Sequence, residues 1–112
     1  MKKTASFEDF KRLDFRVGKV IKAEDISGAK SLIRLTVDFG KIGKRIILSG
    51  IKKWYQTKDL EGKNYIFVVN LEPKKMMGEE SQGMILAAED EKSENCILLI
   101  PEKETSPGVK VH

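Results

Sequence analysis

Two adjacent lysines, Lys74 and Lys75, stand in the segment Asn70-Leu71-Glu72-Pro73-Lys74-Lys75-Met76-Met77-Gly78-Glu79-Glu80-Ser81-Gln82-Gly83-Met84, which separates two strand-like runs, 65–70 and 84–88. Neighbouring ammonium groups attract phosphate, and a loop held between strands is where binding groups tend to gather. Gly78 and Gly83 let a polyanion approach the main chain, Asn70 and Ser81 offer polar contacts, and the thioethers of Met76 and Met84 offer apolar contact to bases or riboses. Either methionine could instead plug the barrel, Met84 more readily than Met76, which directly follows the lysines. Arg16, Lys30, Arg34 and Ser49, from the first three predicted strands and their turns, extend the candidate set. The two arginines could instead be surface ion-pair partners.

Catalytic chemistry finds no support. The single cysteine, Cys96, lies in the apolar run 96–100 and is expected to be a small buried hydrophobe. An activated thiol needs a base, yet the only histidine is the last residue, His112. Acids such as Asp14 and Glu24 have no catalytic companion, and there is no Cys/His cluster for zinc and no Gly-rich phosphate fingerprint. No cofactor is expected.

Charge points to the same class of partner. Net charge is +4, but residues 1–75 hold 18 Lys and Arg against 9 Asp and Glu, while residues 76–112 hold 3 against 8. One part of the surface should therefore be basic and another acidic. No apolar stretch approaches the roughly 20 residues a membrane helix needs, and the lysine-containing start lacks the apolar centre of a secretory signal. A cytoplasmic protein without membrane attachment is the expectation.

The elements that would position these residues are mostly strands. Ser6 before Phe7-Glu8-Asp9 predicts a short helix start, with Phe7, Phe10 and Leu13 on one face. Residues 14–24 predict a first strand whose alternation slips after Gly18, suggesting a bulge there. Residues 33–39 alternate cleanly, with Ile33, Leu35, Val37 and Phe39 on one face. A hairpin through Gly40 to Gly43 leads to a third strand at 44–49, and an irregular connector follows in which Trp54 and Tyr55 either cap the core or stack on bases. Strand four spans 65–70, and a last hairpin pairs 84–89 with 95–100. Three strands, a connector and further strands is the order of an all-β, five-stranded OB-type barrel, with a β-sandwich as the alternative. One domain is expected: an N-terminal helix in 1–13, a barrel in 14–100 and a C-terminal extension in 101–112 that runs over the surface.

The loop residues Asn70-Leu71, Pro73-Lys74-Lys75-Met76, Gly78 and Ser81-Gln82-Gly83-Met84 resemble the motif of a tRNA-binding domain found at the C-terminus of methionyl-tRNA synthetases and as small stand-alone proteins. Asp14-Phe15-Arg16-Val17-Gly18, Ser49-Gly50-Ile51 and Pro107-Gly108 match in the same order, so the resemblance covers nearly the whole chain. It implies an OB-fold barrel, recognition of general tRNA shape without catalysis, a homodimer built partly by residues beyond the barrel, and methionyl-tRNA synthetase as a possible partner or parent. The chain is too short for a synthetase catalytic unit, and Met1 favours a stand-alone protein over a detached tail. Two positions depart from the pattern. Ser31 stands where relatives often have lysine, with Lys30 one residue earlier, and Glu79 adds an acid to the cationic loop. Some relatives of this barrel are peptide-binding chaperones, which is the alternative function.

Overall fold

The computed structural model describes residues 1–92 and 94–112. Its main sheet runs through β1 (Phe15–Asp25), β2 (Ile33–Asp38), β3 (Lys44–Ser49), β4 (Asn64–Val68) and a short strand, Met84–Ile85. Their order, β3-β2-β1-β4 and then Met84–Ile85, is antiparallel throughout and forms a nearly closed five-strand barrel of the OB type. The alternation read at 33–39 matches the burial of Ile33, Leu35, Val37 and Phe39. Phe39 meets Phe67 of β4 edge-to-face, with centroids 5.2 Å apart.

Gly18 has a different reason from the one its sequence context suggests. The register shift in β1 falls between Val20 and Lys22. Gly18 instead sits where a Cβ would come within 2.5 Å of both Phe39 and Val37. Close packing against the core requires the glycine, and the bulge lies further along the strand.

The segment after Pro73, expected as a loop, is a two-stranded ribbon: β5 (Lys74–Met76) pairs with β6 (Glu79–Ser81). Met77 and Gly78 form its two-residue turn with φ of 50° and 78°, the left-handed conformations of a type I′ hairpin. In chain order Met84–Ile85 is then β7, and a second small ribbon pairs β8 (Ala87–Glu89) with β9 (Cys96–Leu98).

Helix α1 (Phe7–Lys11) begins as expected: Ser6 is its N-cap, and the Asp9 N–H donates to the Ser6 hydroxyl at 3.1 Å. The connector contains α2 (Thr57–Leu60), and Trp54 and Tyr55 pack on the core. Trp54 Nε1 donates to the Glu94 carbonyl at 3.1 Å, and the Tyr55 hydroxyl accepts from the Leu98 N–H at 3.1 Å. Both aromatics therefore cap the barrel. The C-terminal extension does more than cover the surface. Its β10 (Lys110–Val111) pairs with β1, while the Gly108 N–H donates to Val17 O and the Val17 N–H to Val109 O.

Candidate nucleic-acid interface

An OB barrel binds through the face of its second and third strands and through the loops that follow its first and fourth strands. Here those two connections meet. The β1–β2 turn contains Gly28 and Lys30; the connection after β4 is the β5–β6 ribbon. A Cβ on Gly28 would lie 3.9 Å from the Met77 methyl, so the tip of the ribbon rests over that turn.

The base of the ribbon is tied to β3. The Gln82 N–H donates to Ile46 O at 2.9 Å, the Gln82 side-chain oxygen accepts from the Ile46 N–H at 3.0 Å, and the Ser81 hydroxyl accepts from the Leu48 N–H at 3.0 Å. The same hydroxyl donates to Gly83 O at 3.1 Å, so Ser81, 2% exposed, is fully used in building the site. Gly83 has a φ of 146°, and a Cβ there would lie 2.7 Å from Val68 O. Its place in the motif thus follows from a close backbone approach beside the ribbon.

Lys74 and Lys75 are both exposed but, as strand neighbours, project to opposite faces of the ribbon. Lys74 shares a face with its cross-strand partner Ser81, whereas Lys75 shares the outer face with Glu80. Met76 is half-buried opposite Glu79. Lys30 is exposed on the β1–β2 turn, and Ser49 ends β3 opposite Ile33. The Lys52 N–H donates to Ser31 O at 3.1 Å, which draws the start of the connector, with Lys52 and Lys53, to the same end. Among the described residues Lys30, Lys44, Lys53, Lys74 and Lys75 have no carboxylate within ion-pair distance.

Arg34 also lies here, half-buried, with its guanidinium against Glu79 and Glu24. Its hydrogen bonds hold the Glu79 carboxyl below the usual carboxylate range, and those same bonds raise the Arg34 pKa. Two features escaped the sequence: Arg45, whose Nη1 donates to Val69 O, and the docking role of Gln82. Neither contact leaves a local signal, since each joins residues far apart in the chain.

The remaining candidates lie at the other end of β1. Arg16 Nε donates to Asp14 Oδ1 at 2.7 Å, and its Nη1 donates to Gly108 O at 3.1 Å. Asn70 Oδ1 accepts from the Asp14 N–H at 2.7 Å, and its Nδ2 donates to Arg12 O at 2.6 Å, fastening the helix segment to the end of β4. Met84 is exposed beside Val68, which pairs with Phe15. An 11-residue strand spans about 30 Å, so these three do not share one contact patch with Lys30.

The family whose model is described as "Putative tRNA binding domain" matches residues 15–110. The chain belongs to this family. It is 49% identical, over 98% of its length, to a methionine–tRNA ligase of Archaeoglobus fulgidus, and 50% identical over 94% to one of Pyrococcus horikoshii. It spans only 16% and 14% of those two proteins. Among solved structures it is similar to a MetRS-related protein from Pyrococcus horikoshii, with TM-score 0.92, 41% identity, and coverage of 99% of this chain and 100% of that one. It is also similar to the chaperone CsaA of Bacillus anthracis, with TM-score 0.89, 36% identity, and 98% and 100% coverage. Among the described residues no helix is long and apolar enough to cross a membrane, and no group of His, Cys, Asp and Glu could hold a metal.

Proposed function

We propose that this chain is a non-catalytic tRNA-binding module that reads phosphate positions and overall RNA shape through the end of the barrel where the β5–β6 ribbon meets the β1–β2 turn. The observation that carries this is the convergence there of exposed Lys30, Lys53, Lys74 and Lys75, unpaired among the described residues, in a member of a tRNA-binding family. Lysines on both faces of a ribbon engage successive phosphates of a curved backbone, and Met76 and Ser49 complete the surface. Within this reading Asn70, Ser81, Gly83 and Arg16 build the frame, and Met84 lies outside the patch.

The module acts as a two-fold pair. Phe7 is 70% exposed and Ile100 64%, and an open groove of about 700 Å³ runs over Phe10, Phe15, Ile66, Leu99 and Val111. A contiguous apolar face of this kind calls for cover, and a second copy supplies a self-complementary one. Two ribbons on one RNA then raise avidity. Association with methionyl-tRNA synthetase in the cytoplasm is part of this reading, supported by the similarity to methionine–tRNA ligases and to a MetRS-related protein.

The likeness to CsaA favours peptide binding as a second reading, in which the same groove holds apolar side chains. Gel-shift titration with total tRNA, run beside capture of a reduced, unfolded protein, separates the two. Micromolar or tighter tRNA binding with a steep salt dependence is expected, with similar affinity for several unrelated tRNAs and weaker binding of an RNA duplex of equal length. Capture of unfolded protein without tRNA binding would reverse the assignment.

A further inference from the structure

The charged groups at the ribbon end divide into two sets. Lys30, Lys74 and Lys75 are exposed and unpaired among the described residues. Arg34 is not: its Nε donates to Glu79 Oε1 at 2.7 Å, its Nη2 to Glu79 Oε2, and its Nη1 lies 3.7 Å from Glu24 Oε1. Glu24 in turn lies 3.4 Å from Lys22 Nζ. Two cations thus face two carboxylates, and a phosphate approaching Arg34 meets no net positive charge. The planar fork that would grip a phosphate is already filled by Glu79.

Placement gives the pair another task. The hydrogen bonds of Ser81 and Gln82 secure only the base of the ribbon. Glu79 starts β6 immediately after the turn, and Arg34 lies on β2, 45 residues away in the chain. The ion pair joins the tip half of the ribbon to the barrel wall. Beside it the tip half has the contact of Met77 over Gly28 and the half-buried side chain of Met76.

We propose that Arg34 and Glu79 form a clasp that fixes the ribbon at the height where Lys74 and Lys75 meet RNA, and that Arg34 is a positioning residue, not a phosphate ligand. The role presupposes the tRNA-binding reading. The acid at position 79 then serves binding by holding the lysine-bearing ribbon, instead of merely weakening a cationic loop.

The test uses the full chain carrying Arg34→Gln, Glu79→Gln or both, titrated with total tRNA at several salt concentrations, together with amide hydrogen exchange over residues 74–81 of the free protein. Each single substitution is expected to weaken binding roughly fivefold, about the upper range for a partly exposed pair. The double variant should be no worse than the weaker single one, because both break the same contact. The log–log salt slope should stay that of the unmodified protein, and exchange in the ribbon should quicken in all three variants. Tighter binding with a steeper slope in Glu79→Gln would overturn the proposal, since Glu79 would then be competing with phosphate for Arg34. So would a slope made shallower by about one unit in Arg34→Gln, or unchanged exchange in the ribbon. Failure of the unmodified protein to bind any tRNA would refute the tRNA reading alone, while exchange in the free protein would still decide whether the clasp holds the ribbon.

Discussion

At the ribbon end of the barrel the exposed groups are ammonium side chains on a two-stranded hairpin, whereas on the flank formed by α1, β9 and β10 they are Phe7, Phe10, Ile97, Leu99 and Ile100. The lysines are fully solvated when nothing is bound, so the fold gains little from them and loses little without them. The flank is the opposite case. Each of these side chains, 40–70% exposed, forgoes part of the roughly 1.5–3 kcal/mol that full burial would return. Substitutions at the first region should therefore change ligand affinity at constant stability, and substitutions at the second should change assembly.

The largest effect is expected on the flank. Leu99→Asp together with Ile100→Asp should convert a particle of twice the 12.7 kDa chain mass into one of single mass, read by light scattering after size exclusion. Loss of the second ribbon should lower apparent tRNA affinity by about tenfold or more. A double-mass particle in the variant would place the pairing surface elsewhere, and a single-mass unmodified protein with tight tRNA binding would remove the dimer altogether. Point substitutions isolate assembly better than truncation from Pro101. Removing the tail would also strip β10 and the Gly108–Val17 bond from β1, and should lower the melting temperature.

Next comes the ribbon. Lys74→Ala with Lys75→Ala should weaken tRNA binding about tenfold and flatten the log–log salt slope by roughly two units, one for each phosphate that is no longer neutralised. Because the two side chains lie on opposite faces, each single variant should show about half of that slope change. Circular dichroism and melting temperature should stay as they were. An unaltered slope would take these lysines out of the interface.

A smaller effect is expected from Gln82→Ala. It removes the acceptor for the Ile46 N–H on the exposed edge of β3 while leaving the backbone bond from Gln82 N–H to Ile46 O. Loss of one such bond is worth about 1 kcal/mol, so melting should fall by a few degrees and tRNA affinity by a few-fold. No change in either would mean that Ser81 and the Gln82 backbone bond dock the ribbon without the Gln82 side chain.

The legibility of these two regions in the sequence differed for a physical reason. The inward run Ile33, Leu35, Val37 and Phe39 follows the period of a strand with one buried face, and Ser6 could be read as a cap from its neighbours. The ribbon lacked such a pattern: its faces carry Lys, Glu and Ser, and its turn is Met77-Gly78, with no Asn or Asp to announce a type I′ hairpin. Its lysines were visible by type and adjacency, but their opposed directions appear only once the strand is known. Arg34 could be named both as a binding candidate and as a surface ion-pair partner, and Glu79 stood out as an acid in the cationic loop, but nothing local joined the two across 45 residues. Gly18 was visible as an exception in a strand, though its cause, the approach of Phe39 and Val37, is a tertiary fact.

The smallest effect concerns pH, and it separates the clasp from the lysines around it. Arg34 holds the Glu79 carboxyl below its ordinary value of 4.5, so the folded protein binds this proton less readily than the unfolded chain does. The contribution of the pair is therefore complete above that ordinary value and is lost as pH falls through the lowered folded one. Acid therefore acts on the clasp through the Glu79 carboxyl. Amide exchange at 74–81, corrected for its intrinsic pH dependence, should quicken on descending from about pH 5 toward pH 3, ahead of exchange in the β1–β2 core. In Glu79→Gln that early step should be absent. If ribbon and core instead lose protection together in both proteins, the pair contributes to global stability and gives the ribbon no independent hold.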